Sequence, residues 1–159
     1  MLEIAVDDLS DGAIVSLLEA HLQEMHRYSP PESIHALDPG SLRSPDITFW
    51  GARVGGVLAG CGALKEMSSL AAEVKSMKTD VAFLRQGIAA RILETMLEEA
   101  ERRGYLHVSL ETGSNKAFLP AVELYRKYGF VECGPFGEYE PDPYSLFMTK
   151  RLRSNLDSD

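Results

Sequence analysis

Residues 73–90 carry the clearest chemical potential in the chain. Glu73-Val74-Lys75-Ser76-Met77-Lys78-Thr79 alternates like a strand, a short turn follows, and Arg85-Gln86-Gly87-Ile88-Ala89-Ala90 opens a helix. Small side chains in a first helical turn let a ligand reach the backbone, and the unpaired N–H groups there point outward. The helix dipole favours an anion at the same place, so this segment offers a seat for a pyrophosphate. A glycine at a helix start is equally a purely structural feature, and both readings stand at this point. Other phosphate-binding patterns are missing: neither G-x-x-x-x-G-K-[ST] nor G-x-G-x-x-G after a strand occurs.

Other reactive side chains are sparse. Cys61 lies in an apolar strand and reads as a small hydrophobe. Cys133 precedes Gly134-Pro135 with no histidine nearby in sequence, which argues against a catalytic thiol. Two cysteines without ligand spacing offer neither a disulfide framework nor a metal site, so no metal is expected. His21 falls on an apolar stripe and reads as a packed core histidine, and His107 opens a strand as a structural residue. Phe136, Tyr139 and Tyr144, with Pro141, Asp142 and Pro143, form a loop that either closes over a substrate or simply joins two strands.

The elements that must position these groups fit one domain. The 159 residues are 45% apolar and 25% charged, an ordinary balance for a globular protein, which excludes disordered, collagen-like and coiled-coil classes. No apolar run reaches the roughly 20 residues of a membrane span, and Glu3 stands where a signal peptide would be basic, so a reducing cytoplasm is expected. A net charge of -8 argues against nucleic acid as a partner. Residues 1–153 are expected to form the single domain, and 154–159 a disordered acidic tail.

Within that domain, Leu2-Glu3-Ile4-Ala5-Val6 reads as a strand, and the three-and-four spacing of Ile14, Leu17, Leu18, His21, Leu22 and Met25 predicts a helix over 13–27. Ser29-Pro30-Pro31 stops it, and a loop with a short helical piece runs on to residue 45. Strands are predicted over 47–53 and 57–64, joined through Gly55-Gly56, and over 72–79. A strong helix follows over 87–103, then a strand over 107–111, a helix over 118–128, and strands over 130–133 and 144–151. Local pairing followed by strand–helix alternation makes the class mixed α/β with one central sheet.

The segment from Glu73 through Leu84-Arg85-Gln86-Gly87-Ile88-Ala89 resembles motif A of the GNAT superfamily of acetyl-CoA-dependent N-acetyltransferases. Ala121-Val122-Glu123-Leu124-Tyr125-Arg126-Lys127-Tyr128-Gly129-Phe130 resembles the superfamily's L-Y-x-x-x-G-F helix end, at a fitting separation. The resemblance runs from Leu2 to about Leu152. More narrowly, His35-Ala36-Leu37, Ile47-Thr48-Phe49-Trp50, Cys61-Gly62-Ala63-Leu64-Lys65-Glu66, Ser109-Leu110-Glu111-Thr112-Gly113 and Phe147-Met148-Thr149-Lys150 are similar to the bacterial YsnE-like acetyltransferases. Leu84 stands where motif A usually has Arg or Gln, and Phe118 where many members carry Asn.

The resemblance implies a GNAT-type mixed, largely antiparallel twisted sheet with helices on both faces. It implies acetyl-CoA as co-substrate, with pantetheine along the backbone of Met77, Lys78 and Thr79 and pyrophosphate on the N–H groups of Arg85, Gln86, Gly87, Ile88, Ala89 and Ala90. It implies direct acetyl transfer to an amine, with Tyr125 as general acid towards the leaving thiolate and Glu73 as general base. From the residues alone, Tyr125 is equally a core tyrosine and Glu73 a salt-bridged strand residue. Glu111 is the rival base, and a water is the third option. Glu24 and His26, at the end of the first helix, are expected to touch the acceptor. A small-molecule primary amine is the expected acceptor. A lysine or N-terminus of a protein, or a non-catalytic acyl-CoA-binding role, are the alternatives. Dimers are common in the superfamily, which leaves a homodimer open.

Overall fold

The computed structural model describes residues 1–35 and 40–153. The segment 154–159, expected as an acidic tail, lies outside the described residues, as do Ala36 and Leu37. The strands are β1 (Leu2–Val6), β2 (Ile47–Val54), β3 (Val57–Ser68), β4 (Ala71–Thr79), β5 (His107–Gly113), β6 (Val131–Cys133) and β7 (Ser145–Arg151). The helices are α1 (Gly12–Tyr28), α2 (Ile88–Arg102) and α3 (Leu119–Lys127). The seven strands form one sheet in the order β1-β2-β3-β4-β5-β7-β6, antiparallel throughout except for β4 against β5.

Local sequence explains most boundaries. Asp11 caps α1 by accepting from the Ala13 N–H at 2.9 Å, and Gly55 and Gly56, at φ +57° and +83°, make the β2–β3 turn. The predicted loop over 29–45 contains two single 3-10 turns, Pro31–Ser33 and Ser41–Arg43. β3 runs past the predicted residue 64 to Ser68, because Lys65, Glu66 and Ser68 continue the ladder with β4.

The two sheet faces carry separate cores. Ile14, Leu17 and Leu18 of α1 pack with Leu9, Leu42, Phe49, Cys61 and Ala63. Ile88, Ile92, Leu93 and Met96 of α2, with Val122 and Tyr125 of α3, pack with Val74, Val108, Leu110 and Met148. Gly62 lets α2 approach closely, since a Cβ there would stand 2.8 Å from Met77 Sδ and 2.9 Å from Ile92 Cγ2.

Two irregularities in β4 open the sheet. Ser76 adopts φ +55°, and between the Ala63↔Lys75 and Cys61↔Lys78 pairs β4 holds one residue more than β3. This bulge shifts the alternation by one, so Met77 turns to α2 while Lys78 turns to α1. The parallel ladder with β5 ends at Val74↔Leu110, although β4 continues to Thr79 and β5 to Gly113. Beyond Val74 the two strands part.

Candidate active site

A cavity of about 430 Å³ occupies the gap between β4 and β5 and extends to α1 on one face and α3 on the other. Glu73 and Lys75 lie two apart on β4, and Ser109 and Glu111 two apart on β5. Glu73 pairs with Ser109 in the parallel ladder, so all four share the face towards α1. Glu73 is only 4% exposed. Its carboxylate accepts from the Lys75 ammonium at 3.2 Å and from the Tyr139 hydroxyl. Lys75 also donates to Tyr139 Oη at 3.0 Å. Burial first, and then the Glu73 charge, raises the Tyr139 pKa, so this hydroxyl stays protonated and donates.

Glu111 lines the same end of the cavity. Burial raises its pKa above the ordinary carboxylate value. Ser145, then His35 and Lys75, oppose that shift, and the Glu73 charge adds to it. The roof consists of two loops. His35 packs its ring edge-on against Tyr139 at 5.0 Å, and Ser33 Oγ donates to Asp142 Oδ2 at 2.6 Å, clasping the segment after α1 to the β6–β7 loop.

The α1 wall corrects one expectation and moves another. His21, expected in the core, lines the cavity, and burial together with the Lys78 charge lowers it to about 4, so its imidazole is neutral. Glu24 also lines the cavity and accepts from Lys78. His26 is exposed and stands outside the lining, because on a helix residue 26 turns away from the face shared by 21, 24 and 25.

At the other end, Met77, Lys78, Thr79, Ala89, Ala117, Phe118, Leu124 and Tyr125 form the walls. Tyr125 is 6% exposed, packs edge-on against Phe130 at 5.8 Å, and its hydroxyl has no hydrogen-bond partner among the described residues. Burial alone raises its pKa, so the hydroxyl is protonated throughout the physiological range. Arg85, Gln86, Gly87, Ile88 and Ala90 form the loop and first turn beside Leu84 and Ala89 rather than the cavity lining itself. Arg85 at φ +63° and Gly87 at φ +79° are both left-handed. Gly87 leaves α2 without a side-chain cap, and the first helical bond runs from the Arg91 N–H to the Gly87 C=O. The N–H groups of Ile88, Ala89 and Ala90 therefore have no helical acceptor.

The structure thus brings Glu24, Glu73, Met77, Lys78, Thr79, Ala89 and Tyr125 to one cavity. Sequence reasoning did not single out Lys75, His21 or His35 for it. The period of two from Glu73 points to Lys75, whereas His35 and Tyr139 depend on loop paths that no local pattern encodes. Among the described residues no group of His, Cys, Asp and Glu is placed to hold a metal ion, and no helix is long and apolar enough to cross a membrane.

Comparison with known proteins gives concordant results. Residues 13–130 match the acetyltransferase (GNAT) family. The chain is 52% identical to the uncharacterized N-acetyltransferase YsnE of Bacillus subtilis, over 95% of this chain and 100% of that protein. It is 41% identical to a protein of Azospirillum brasilense named IAA acetyltransferase, over 94% of this chain and 97% of that one. Among solved structures, an acyl-CoA N-acyltransferase from Klebsiella pneumoniae superposes with a TM-score of 0.77 at 25% identity, covering 96% of this chain and 99% of that chain.

Proposed function

The chain belongs to the GNAT acetyltransferase family and is an acetyl-CoA-dependent N-acetyltransferase, and from that premise we propose that its acceptor is the primary amine of a small molecule. The residues present fit acetyl-CoA. Past Val74 the β5 side of β4 is open to an extended chain, and the start of α2 offers N–H groups without helical acceptors. In this reading Met77, Lys78 and Thr79 hold pantetheine along the strand, and Arg85, Gln86, Gly87, Ile88, Ala89 and Ala90 hold the pyrophosphate. The bound co-substrate supplies an activated thioester carbonyl.

The chain's own groups then manage two protons. An amine reaches the site as an ammonium ion and must lose a proton before it can attack. Glu73 already accepts from Tyr139 and Lys75 and so anchors the polar cluster, while Glu111, with its raised pKa, is the better proton acceptor. On the opposite wall, Tyr125 Oη carries a proton with no internal partner, free to be given to a leaving thiolate.

The observation that carries the small-acceptor reading is the roof. The Ser33–Asp142 clasp and the His35–Tyr139 contact join two loops, and His35 and Tyr139 narrow the cavity that Glu73 and Glu111 line, where a peptide chain would need an open groove. The name of the Azospirillum relative, IAA acetyltransferase, agrees with a small acceptor. The two free thiols, Cys61 pushed up to about 12 by burial and Cys133, suit work in a reducing cytoplasm.

The test follows free-thiol release from acetyl-CoA with a panel of small primary amines, lysine peptides and peptides with free N-termini. Turnover of small amines with kcat/KM well above that of peptides is expected. Faster turnover of peptides would overturn the reading. Acetyl-CoA binding without turnover of any amine would favour a binding module instead.

A further inference from the structure

The charges that line the cavity do not balance. Three carboxylates, Glu24, Glu73 and Glu111, and two ammonium groups, Lys75 and Lys78, line the cavity. Each ammonium already has a carboxylate: Lys78 pairs with Glu24, and Lys75 with Glu73. His21 adds no charge at neutral pH, since its pKa lies at about 4. Glu111 is left as the carboxylate without an ion-pair partner among the described residues, in a setting that desolvates it. On the same α1 side of the cavity, Met25 and the Tyr139 ring offer apolar surface.

Resting on the reading that the acceptor is a small amine, we infer that this acceptor is a monoamine whose remaining part bears no carboxylate or phosphate. Its ammonium group sits against Glu111 and supplies the missing counter-charge, and its uncharged remainder lies along Met25 and Tyr139. An amino acid would fit poorly. Its carboxylate would enter a site of net negative charge in which both lysines are already engaged, and repulsion of this kind is how a site rejects a near-analogue.

The experiment compares matched pairs with the full chain and acetyl-CoA: phenethylamine against phenylalanine, and butylamine against 4-aminobutyrate. Each amine is expected to exceed its carboxylate-bearing partner in kcat/KM by about tenfold or more, the ratio that roughly 1.4 kcal/mol of differential binding produces. Glu111→Gln is expected to raise KM for the amines and to narrow that ratio, while the thermal shift given by acetyl-CoA stays unchanged. Equal or better use of the carboxylate-bearing partners would overturn the inference and leave the small-amine reading intact. An unchanged KM in Glu111→Gln would also overturn it. Turnover of peptides with neither small series used would overturn the underlying reading, and the inference with it.

Discussion

Tyr125→Phe isolates one oxygen atom. The ring is 6% exposed and packs on Phe130, and the hydroxyl has no internal hydrogen-bond partner among the described residues. Phenylalanine keeps the ring contacts and breaks no bond within the protein. Losing a hydroxyl that makes no bond within the protein should alter stability by less than about 1 kcal/mol. In a domain of this size that is a shift of about 2–4 °C in Tm. Loss of a positioned general acid, by contrast, typically lowers rate by about 10²–10⁴, which corresponds to roughly 3–5 kcal/mol of barrier. The expected outcome is a kcat at least about 100-fold lower, with Tm and acetyl-CoA affinity essentially retained. Steady-state thiol release, a melting curve and a titration with acetyl-CoA together measure all three. A kcat within about threefold of wild type would remove Tyr125 from the chemistry. A Tm lower by about 8 °C or more would show instead that the hydroxyl holds the fold.

Gly87→Glu places a carboxylate and a Cβ at a left-handed residue beside unpaired N–H groups. It should cost about 1 kcal/mol of stability and abolish the thermal shift that acetyl-CoA gives the wild type. His21, at about 4 in the folded protein against an ordinary 6.5, binds its proton more readily when unfolded. Stability should therefore fall as pH drops from about 6.5 towards 4, by at most about 3 kcal/mol. His21→Phe should flatten that slope in urea melts at pH 7 and 4.5, and an unchanged slope would remove His21 as its source. Asp142→Ala breaks the clasp with Ser33. Its stability cost should be about 1 kcal/mol or less, while KM for the amine rises with kcat little changed; an unaltered KM would show that the clasp plays no part in acceptor binding.

Much of the frame was legible in the residues. Hydrophobic spacing located α1, α2 and α3 to within a residue or two, because each buries one continuous stripe. Gly55-Gly56 marked its hairpin because a tight turn demands positive φ. The bulge at Ser76 was not legible. A serine at φ +55° has no compositional signature, and the even alternation from Glu73 to Met77 continues straight through it. That single added residue decides that Lys78, and not Met77, meets Glu24. His21 misled for a related reason: apolar spacing identifies the inward face of a helix but does not tell whether that face meets side chains or a cavity. His35 and Tyr139 come from loops, whose paths rest on long-range contacts such as Ser33 with Asp142.

The sheet is two antiparallel ladders joined by only four parallel register pairs, Ala71↔His107 to Val74↔Leu110. The β2–β3 and β3–β4 hairpin partners lie close in sequence, whereas each pair in this joint closes a loop of 36 residues, as β1–β2 and β5–β7 also close long loops. Loop-closure entropy places such contacts late in folding. The catalytic gap begins where the joint stops, so it lies at a seam of the sheet held by few rungs. Amide protection should be deepest within the β2–β3 ladder and should fall away along β4 from Lys75 to Thr79. A ligand spanning that gap would act as a fifth rung, tying the two ladders together and slowing exchange on both sides of the seam at once.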